Sequence, residues 1–385
     1  VSATRAVFDA VVVGGGILGS ATAYHLVRAG AQTLLIDRAD PGRATDAGAG
    51  ILSPETNSRD PEDWFRLACE AADYYPGLID QLRSEQDGDT GYARCGKLVV
   101  AVTDDEIAPF ERARGIIFDR RRRRGTPGPE DLHEVSPEEA CARFPALARP
   151  HGAIYSSVAA RVDGRRLNRA LLTAATRRGL VTRTGAVERL TLEGGAVQGV
   201  VAGGQPIAAG AVAIAGGAWS DSFAKQLGVR IAVEPQRGQI IHLGLRGTDT
   251  SRWPMISAFH HHYLVAWPDS RVAAGATRET GSGFAPHTTA AGVREVLAEA
   301  TRVAPGLADA EIREIRVGLR PFTRDGIPVL GPVPGTTGVF LVTGHGPTGL
   351  TLGAYSGMVV ARQMLGQPPG TDLAPYSVAR FNPGR

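Results

Sequence analysis

Cysteine and lysine are scarce in this 385-residue chain. The three cysteines, Cys69, Cys95 and Cys141, are widely spaced and odd in number. They make neither a disulfide framework nor a zinc-ligand pattern, and they fit a reducing cytoplasm. Lys97 and Lys225 are the only lysines, so nearly all positive charge is arginine. Neither follows the glycine spacing of a Walker A loop, which excludes that phosphate site. No segment offers ~18 uninterrupted apolar residues, so no transmembrane helix is expected. Residues 1–8 lack a basic-then-apolar stretch, so no signal peptide is expected. A net charge of +3 is too small to imply a nucleic-acid partner by itself.

Glycine, in contrast, is abundant: 49 residues, spread without a collagen-like period. That points to tight turns and close backbone approaches. Hydrophobic residues at 43% and charged residues at 21% are an ordinary globular balance, which argues against disorder. At ~150 residues per domain the length predicts two or three domains.

Residues 8–13 are a short β-branched run, read as a buried strand. Glycines follow at once, then helical spacing over 20–29 with Gly30 as the stop, then a second strand over 33–36 ending at Asp37. This is a βαβ unit. Residues 38–54 read as loop. Helices are expected over 61–86, 104–114, 136–143, 165–178 and 290–303. Ser136 serves as N-cap of the third, with Glu139 three residues on. Strands are expected over 97–102, 181–191, 196–202, 229–234, 238–243, 262–267, 271–275 and 312–319. A last strand over 338–343 leads through a glycine-rich turn into a helix over 350–364, repeating the logic of the first unit.

Gly14, Gly16 and Gly19 fill a G-x-G-x-x-G template. The first glycine permits the turn, the second lets backbone approach a pyrophosphate, and the third packs helix on strand. The helix N-terminus then meets phosphate with free N–H groups and its positive dipole end. Asp37, roughly 20 residues on, is placed to accept from ribose hydroxyls. Strand, glycines, helix, second strand and acid together predict a dinucleotide site. Thr45-Asp46-Ala47-Gly48-Ala49-Gly50-Ile51-Leu52 then suggests backbone pressed against a flat ligand. The late turn Gly344-His345-Gly346-Pro347-Thr348-Gly349-Leu350-Thr351 opens a second helix. Two helix N-termini from opposite ends of the chain suit one extended ligand such as FAD.

Further segments follow in order: Arg161-Val162-Asp163-Gly164-Arg165-Arg166-Leu167, Ala215-Gly216-Gly217-Ala218-Trp219-Ser220, Arg237-Gly238-Gln239, Gly318-Leu319-Arg320-Pro321 and Asp325-Gly326-Ile327-Pro328. With the glycine motifs, they make the chain resemble the FAD-dependent D-amino acid oxidase superfamily over essentially its whole length. Its pattern is similar to the glycine oxidase, sarcosine oxidase and D-amino acid dehydrogenase-like members. The resemblance implies an α/β fold: an FAD-binding Rossmann-like domain interwoven with a smaller α+β substrate-cap domain containing an antiparallel sheet. The expected FAD-binding domain is 1–54, 150–228 and 318–376; the substrate domain is 55–149 and 229–317. Implied cofactor contacts are Gly14, Gly15, Gly16, Ile17, Leu18, Gly19, Asp37, Arg38, Thr45, Ala47 through Leu52, Gly216, Gly217, Trp219, Arg320, Gly344 and Gly346 through Thr351. Val187 is implied to contact adenine through its backbone.

By the same resemblance Arg320 binds a substrate carboxylate, with its guanidinium fork suited to a bidentate pair. Tyr263 helps it, and His345 packs against the flavin or moves a proton. The implied reaction is dehydrogenation of an amine next to a carboxylate, by hydride transfer to flavin, giving an imine that hydrolyses to an oxo acid. Relatives often read Tyr-x-x-Pro-Arg where this chain has Tyr263-Leu264-Val265-Ala266-Trp267, which leaves the mouth of the site, and the substrate, open. No cysteine follows Cys141, so FAD is expected to be non-covalent. No lysine falls near 270–280, where sarcosine oxidases carry one for oxygen activation. Dioxygen and another electron acceptor both stay open, as does a homo-oligomer.

His260-His261-His262 lacks a completing Asp, Glu or Cys at ligand spacing, so no metal is expected and the triple reads as a loop or strand entry. On a strand, His260 and His262 would share a face. Arg120 to Arg124 reads as a solvated, mobile surface segment. Two alternative functions remain at this level. One is the flavoprotein subunit of a multi-subunit amino acid dehydrogenase; the other acts on a larger biosynthetic or tRNA-linked amine.

Overall fold

A computed structural model describes residues 7–383. The leader reading of residues 1–8 lies largely outside them. The opening unit forms as its pattern dictates. Strand Val7–Val13 runs parallel to Thr33–Asp37, and helix Ile17–Arg28 joins them. Side chains alternate along the strand with period two. Ala10 and Val12 join one apolar cluster; Val11 and Val13 join another on the opposite face. Both faces are apolar because both are covered.

Five parallel strands make the centre of this sheet, in the order Val339–Thr343, Gln205–Ile214, Val7–Val13, Thr33–Asp37, Val181–Thr184. Val187–Glu193, Ala196–Ala202 and Val329–Pro332 complete eight strands by antiparallel pairing. Helices Ile17–Arg28, Glu62–Glu85, Gly164–Arg177 and Gly349–Met364 share one core, in which Tyr24, Leu67, Leu171 and Val359 are fully buried.

A second sheet of nine strands is antiparallel except where Met255–Ser257 runs parallel to Lys97–Ala101. Its longest pair, Glu234–Gly244 with Glu311–Phe322, sets Arg320 across from Gln236. Helix Ala290–Val303 covers it, with Val296 and Ala300 packed among Ile241 and Ala274. Thr289 caps that helix by accepting the Gly292 N–H at 3.1 Å. Ser136 likewise accepts the Glu139 N–H at 3.1 Å, as its sequence position predicts. Among the described residues, no helix is long and apolar enough to cross a membrane.

Several elements differ from their sequence expectation. Of the strand expected over 229–234 only Glu234 belongs to one: Val229, Ile231 and Val233 bury into the first sheet's core, but without a ladder partner. The run over 181–191 breaks at Gly185 (φ 151°) into Val181–Thr184 and Val187–Glu193. The supposed loop over 38–54 contains a short helix, Ala44–Ala47, and a strand, Ile51–Leu52. His260 and His261 are in left-handed conformation (φ 63° and 66°) in the turn before strand Tyr263–Trp267, so they share no strand face with His262.

The arginine run is corrected most. Helix Ile107–Arg124 continues through it, and Gly125 ends the helix in left-handed conformation with its N–H donating to the Arg121 carbonyl at 2.8 Å. Positive charge in a last helical turn complements the helix dipole. Arg120 is 6% exposed. It donates to the Asn57 and Asp60 carbonyls, each at 2.9 Å, and its guanidinium carbon lies 4.3 Å from the Phe65 ring centroid. It is a buried staple, not a mobile surface group.

Candidate active site

The carboxyl ends of the parallel strands open into a cleft of about 440 Å³, where such folds place their ligands. At one end stands the first βα turn. Gly14 has φ 107°, and a Cβ there would sit 2.5 Å from the Ala215 carbonyl oxygen. A Cβ on Gly19 would run into the Gly14 carbonyl, so this residue packs helix against strand and does not line the cleft. Gly16 differs: its Cβ would meet only Thr45 Oγ1, at 3.2 Å. It is the N-cap of Ile17–Arg28 and offers no capping side chain. The turn is braced from behind. Asn168 donates to the Gly15 carbonyl at 3.0 Å, and Thr45 accepts the Ile17 N–H at 2.9 Å. Asp37 lines the cleft, accepts the Gly15 N–H at 2.8 Å and pairs with Arg43 at 2.6 Å.

The second helix end comes from far along the chain. Gly346–Thr348 forms a single tight turn and Gly349–Met364 follows, again without a side-chain cap. Trp64 pins the turn by donating to Thr348 Oγ1 at 3.1 Å. Uncapped N-termini leave backbone N–H groups for an acceptor ligand.

Most residues expected at a cofactor share this cleft. Gly14 to Leu18, Asp37, Arg38, Thr45, Ala47 to Ile51, Val187, Gly216, Gly217, Trp219, Arg320 and Gly346 to Thr351 all line it. Gly19, Leu52, Gly344 and His345 do not. The glycines at 48 and 50 line the cleft and are also required by packing within the protein. A Cβ on Gly48 would press on Leu350 at 2.6 Å, and one on Gly50 would strike the Val162 carbonyl.

At the other end the cleft is built from the second sheet. Arg320 donates from Nη1 to the Thr277 carbonyl at 2.8 Å, which fixes its plane. Its other donors meet no acceptor among the described residues. Burial lowers its pKa to about 10, so it stays charged at neutral pH. Tyr263 begins its strand beside Gly275, and its hydroxyl makes no hydrogen bond with any described residue. Burial raises its pKa, so the hydroxyl remains a donor. An anchored guanidinium and a free phenol thus line one wall, the donor set a carboxylate takes.

Lys97 was not singled out for this site by sequence. It lines the cleft, and its ammonium donates to Ser53 Oγ and Thr56 Oγ1, both at 2.9 Å. Burial lowers its pKa to about 8. Beside it burial raises the Glu55 carboxyl, which accepts from Ser156 at 2.6 Å. The signal was a lysine heading an apolar strand, a position where a charge is rarely left unpaired. His345 lies behind its turn, 2% exposed, hydrogen-bonded through Nε2 to Ser356 at 3.0 Å. Burial lowers its pKa to about 3, so it is neutral.

Two uncapped helix ends over one cleft, at the carboxyl edge of a parallel sheet, define a dinucleotide-dependent oxidoreductase. The chain belongs to the FAD dependent oxidoreductase family DAO, which matches residues 9–363. It is 34% identical over 370-odd residues to a glycine oxidase of Pseudomonas aeruginosa, covering 96% of this chain and 98% of that one. An iminodiacetate oxidase of Chelativorans sp. BNC1 superposes with a TM-score of 0.90 at 40% identity, covering 96% of this chain and 98% of that one. The glycine oxidase of Geobacillus kaustophilus gives 0.88 at 26% identity, covering 98% and 99%. The protein is therefore an FAD-dependent oxidoreductase, and its residues fit the cofactor. Gly16 leaves room for close backbone approach, and the positive ends of two helices whose N-cap residues make no side-chain cap bond suit a ligand that carries negative charge.

Proposed function

We propose that the protein oxidises the C–N bond of a small amino acid or N-substituted amino acid. The observation that carries this reading is the unsatisfied pair Arg320 and Tyr263 at the end of the cleft away from the glycine turn. Relatives named for glycine and iminodiacetate, both amines next to a carboxylate, support it.

FAD, when bound, supplies the acceptor for two electrons. The remaining work falls to the chain. Arg320 and Tyr263 hold the substrate carboxylate and so fix the direction of the Cα–H bond. The uncapped end of Gly349–Met364 offers its positive dipole to developing negative charge. A hydride leaves the substrate carbon, the nitrogen lone pair forms a C=N bond, and the nitrogen loses a proton. Water then splits the imine into an oxo acid and ammonia or an amine. No nearby histidine is required: His345 is neutral and lies off the cleft. Residues 1–54, 150–228 and 318–376 hold the cofactor in this reading. Residues 55–149 and 229–317 contribute Lys97 and Tyr263 on the substrate side. None of the three cysteines lines the cleft, which supports non-covalent FAD. Dioxygen or another acceptor restores the oxidised state.

The test is anaerobic mixing with glycine, sarcosine, iminodiacetate and D- and L-alanine, watching the visible flavin band. Bleaching by at least one is expected, and admission of air then shows whether dioxygen is an acceptor. A yellow protein that none of them bleaches would overturn the reading.

A further inference from the structure

Beyond the carboxylate wall, the substrate end holds more positive charge than one carboxylate requires. Arg59, Arg278 and Arg320 all line the cleft. None makes an ion pair with a described residue, and Arg278 makes no hydrogen bond with one either. Arg320 is bonded to the carbonyl of Thr277, so Arg278 is attached at the next residue. Arg59 reaches the same region from residues 57–60. It donates to His261 Nδ1 at 3.2 Å and to the Ala258 carbonyl at 3.4 Å. Burial, and after it the charges of Arg278 and Arg59, lower the His261 pKa to about 4. That imidazole is therefore neutral and free to accept from Arg59. His261 sits in the left-handed turn described above, a costly conformation for a non-glycine residue, and the turn holds it at this spot.

The acids nearby do not balance the set. Asp37 and Asp40 line the nucleotide end and pair with Arg43 and Arg38. Glu279 is held by Arg237 at 2.6 Å. Glu55 adjoins Lys97. Only Asp60 is left beside Arg59, and it accepts from Asn57 at 2.6 Å. Three guanidinium groups thus share Asp60 and the charge of Glu279, which Arg237 already holds, so the set keeps a positive surplus that a bound anion reduces. A monocarboxylate answers Arg320 and leaves a surplus; a dicarboxylate removes it.

We propose that Arg59 and Arg278 form a second carboxylate subsite, and that the substrate is an amine carrying two carboxylates, one held by Arg320 and Tyr263 and the other by this pair. This rests on the amine-oxidation reading above for its chemistry, though not for its binding. Asp60 and the neutral His261 then act as positioning groups for Arg59.

Diglycolate and methoxyacetate separate the two. They are ether counterparts of iminodiacetate and sarcosine, with no oxidisable C–N bond, and differ by one carboxylate. Titrated into the FAD-loaded enzyme by the shift of its visible spectrum, diglycolate should bind at least about tenfold tighter, the worth of one added charge-assisted contact. Arg278→Gln and Arg59→Gln should each cut that ratio, and the double substitution should bring it near one. Arg278→Lys should keep part of it, since charge remains without the fork. Both residues are exposed, so these changes spare the core. Equal affinity for the two ligands, or a ratio that survives the double substitution, overturns the subsite. In parallel, iminodiacetate should reduce the flavin at a lower KM than sarcosine. Failure of every amine with a preserved diglycolate preference would sink the oxidation reading alone.

Discussion

Replacing Arg120 by alanine tests whether the arginine run is a structural staple. The side chain is 7% exposed and makes four connections, an ion pair with the exposed Glu62 at 3.3 Å among them. Its guanidinium satisfies two carbonyls, Asn57 and Asp60, and lies over Phe65. Leaving a buried acceptor unpaired costs ~1–3 kcal/mol, and these two are half-buried, so water recovers part of the loss. With lost packing of the side-chain stem, the sum is about 2–4 kcal/mol. Two positions on, Arg122 is 75% exposed and bonds only Asp119 at 2.6 Å. Arg122→Ala should cost about 0–0.5 kcal/mol. For a chain of this size about 1.2 °C accompanies each kcal/mol, so the two midpoints should differ by about 2–5 °C. The assay is thermal unfolding of both variants with FAD saturating and the scan rate matched, since bound ligand and rate each move the midpoint. Midpoints within about 1 °C of each other would refute the reasoning. The 57–60 segment also carries Arg59, so Arg120→Ala should weaken diglycolate binding more than Arg122→Ala does.

Arg320→Ala should raise KM for a carboxylate amine by about a hundredfold or more, since a charge-assisted bidentate pair is lost; steady-state kinetics with KM within about threefold of wild type would remove its assignment. Lys97 loses its positive charge as pH rises through about 8, so methoxyacetate should bind constantly below pH 7. Its Kd should then rise about three- to tenfold by pH 9, and Lys97→Gln should flatten that slope. Acid precipitation should leave a colourless pellet and a yellow supernatant; colour in the pellet would establish a covalent link.

Much of this was legible because some residues have few places to go. An apolar run that ends in Gly14, with Gly16, Gly19 and then Asp37, fits a parallel strand, a helix start and a second strand together. Each local signal agrees with the next, so the unit is read correctly with no knowledge of its neighbours. Ser136 begins its helix for an equally local reason. Where the reading failed, the cause was tertiary. The apolar residues at 229, 231 and 233 bury without a ladder, and burial alone has no period that distinguishes the two. Five arginines in a row look solvated until Asn57 and Asp60 are brought against the first of them.

The substrate end was the least legible part, and its chemistry explains why. A nucleotide site is a backbone device, and backbone devices need glycine at fixed spacing, which a sequence displays. A carboxylate site is a charge device. Its members, Arg59, Lys97, Tyr263, Arg278 and Arg320, lie on separate elements and share no spacing. Charge balance decides what each one does: an arginine beside Glu279 is a structural pair, and one facing empty cleft is a binding group. Arg237 and Arg278 illustrate the contrast. The sequence reading took Arg237 into a motif and passed over Arg278, yet Glu279 holds the first at 2.6 Å and no described acid makes an ion pair with the second. A Glu279→Gln variant removes a negative charge that acts on Arg320, so it should tighten diglycolate further. If affinity falls instead while the fold survives, charge surplus is not what the site reads.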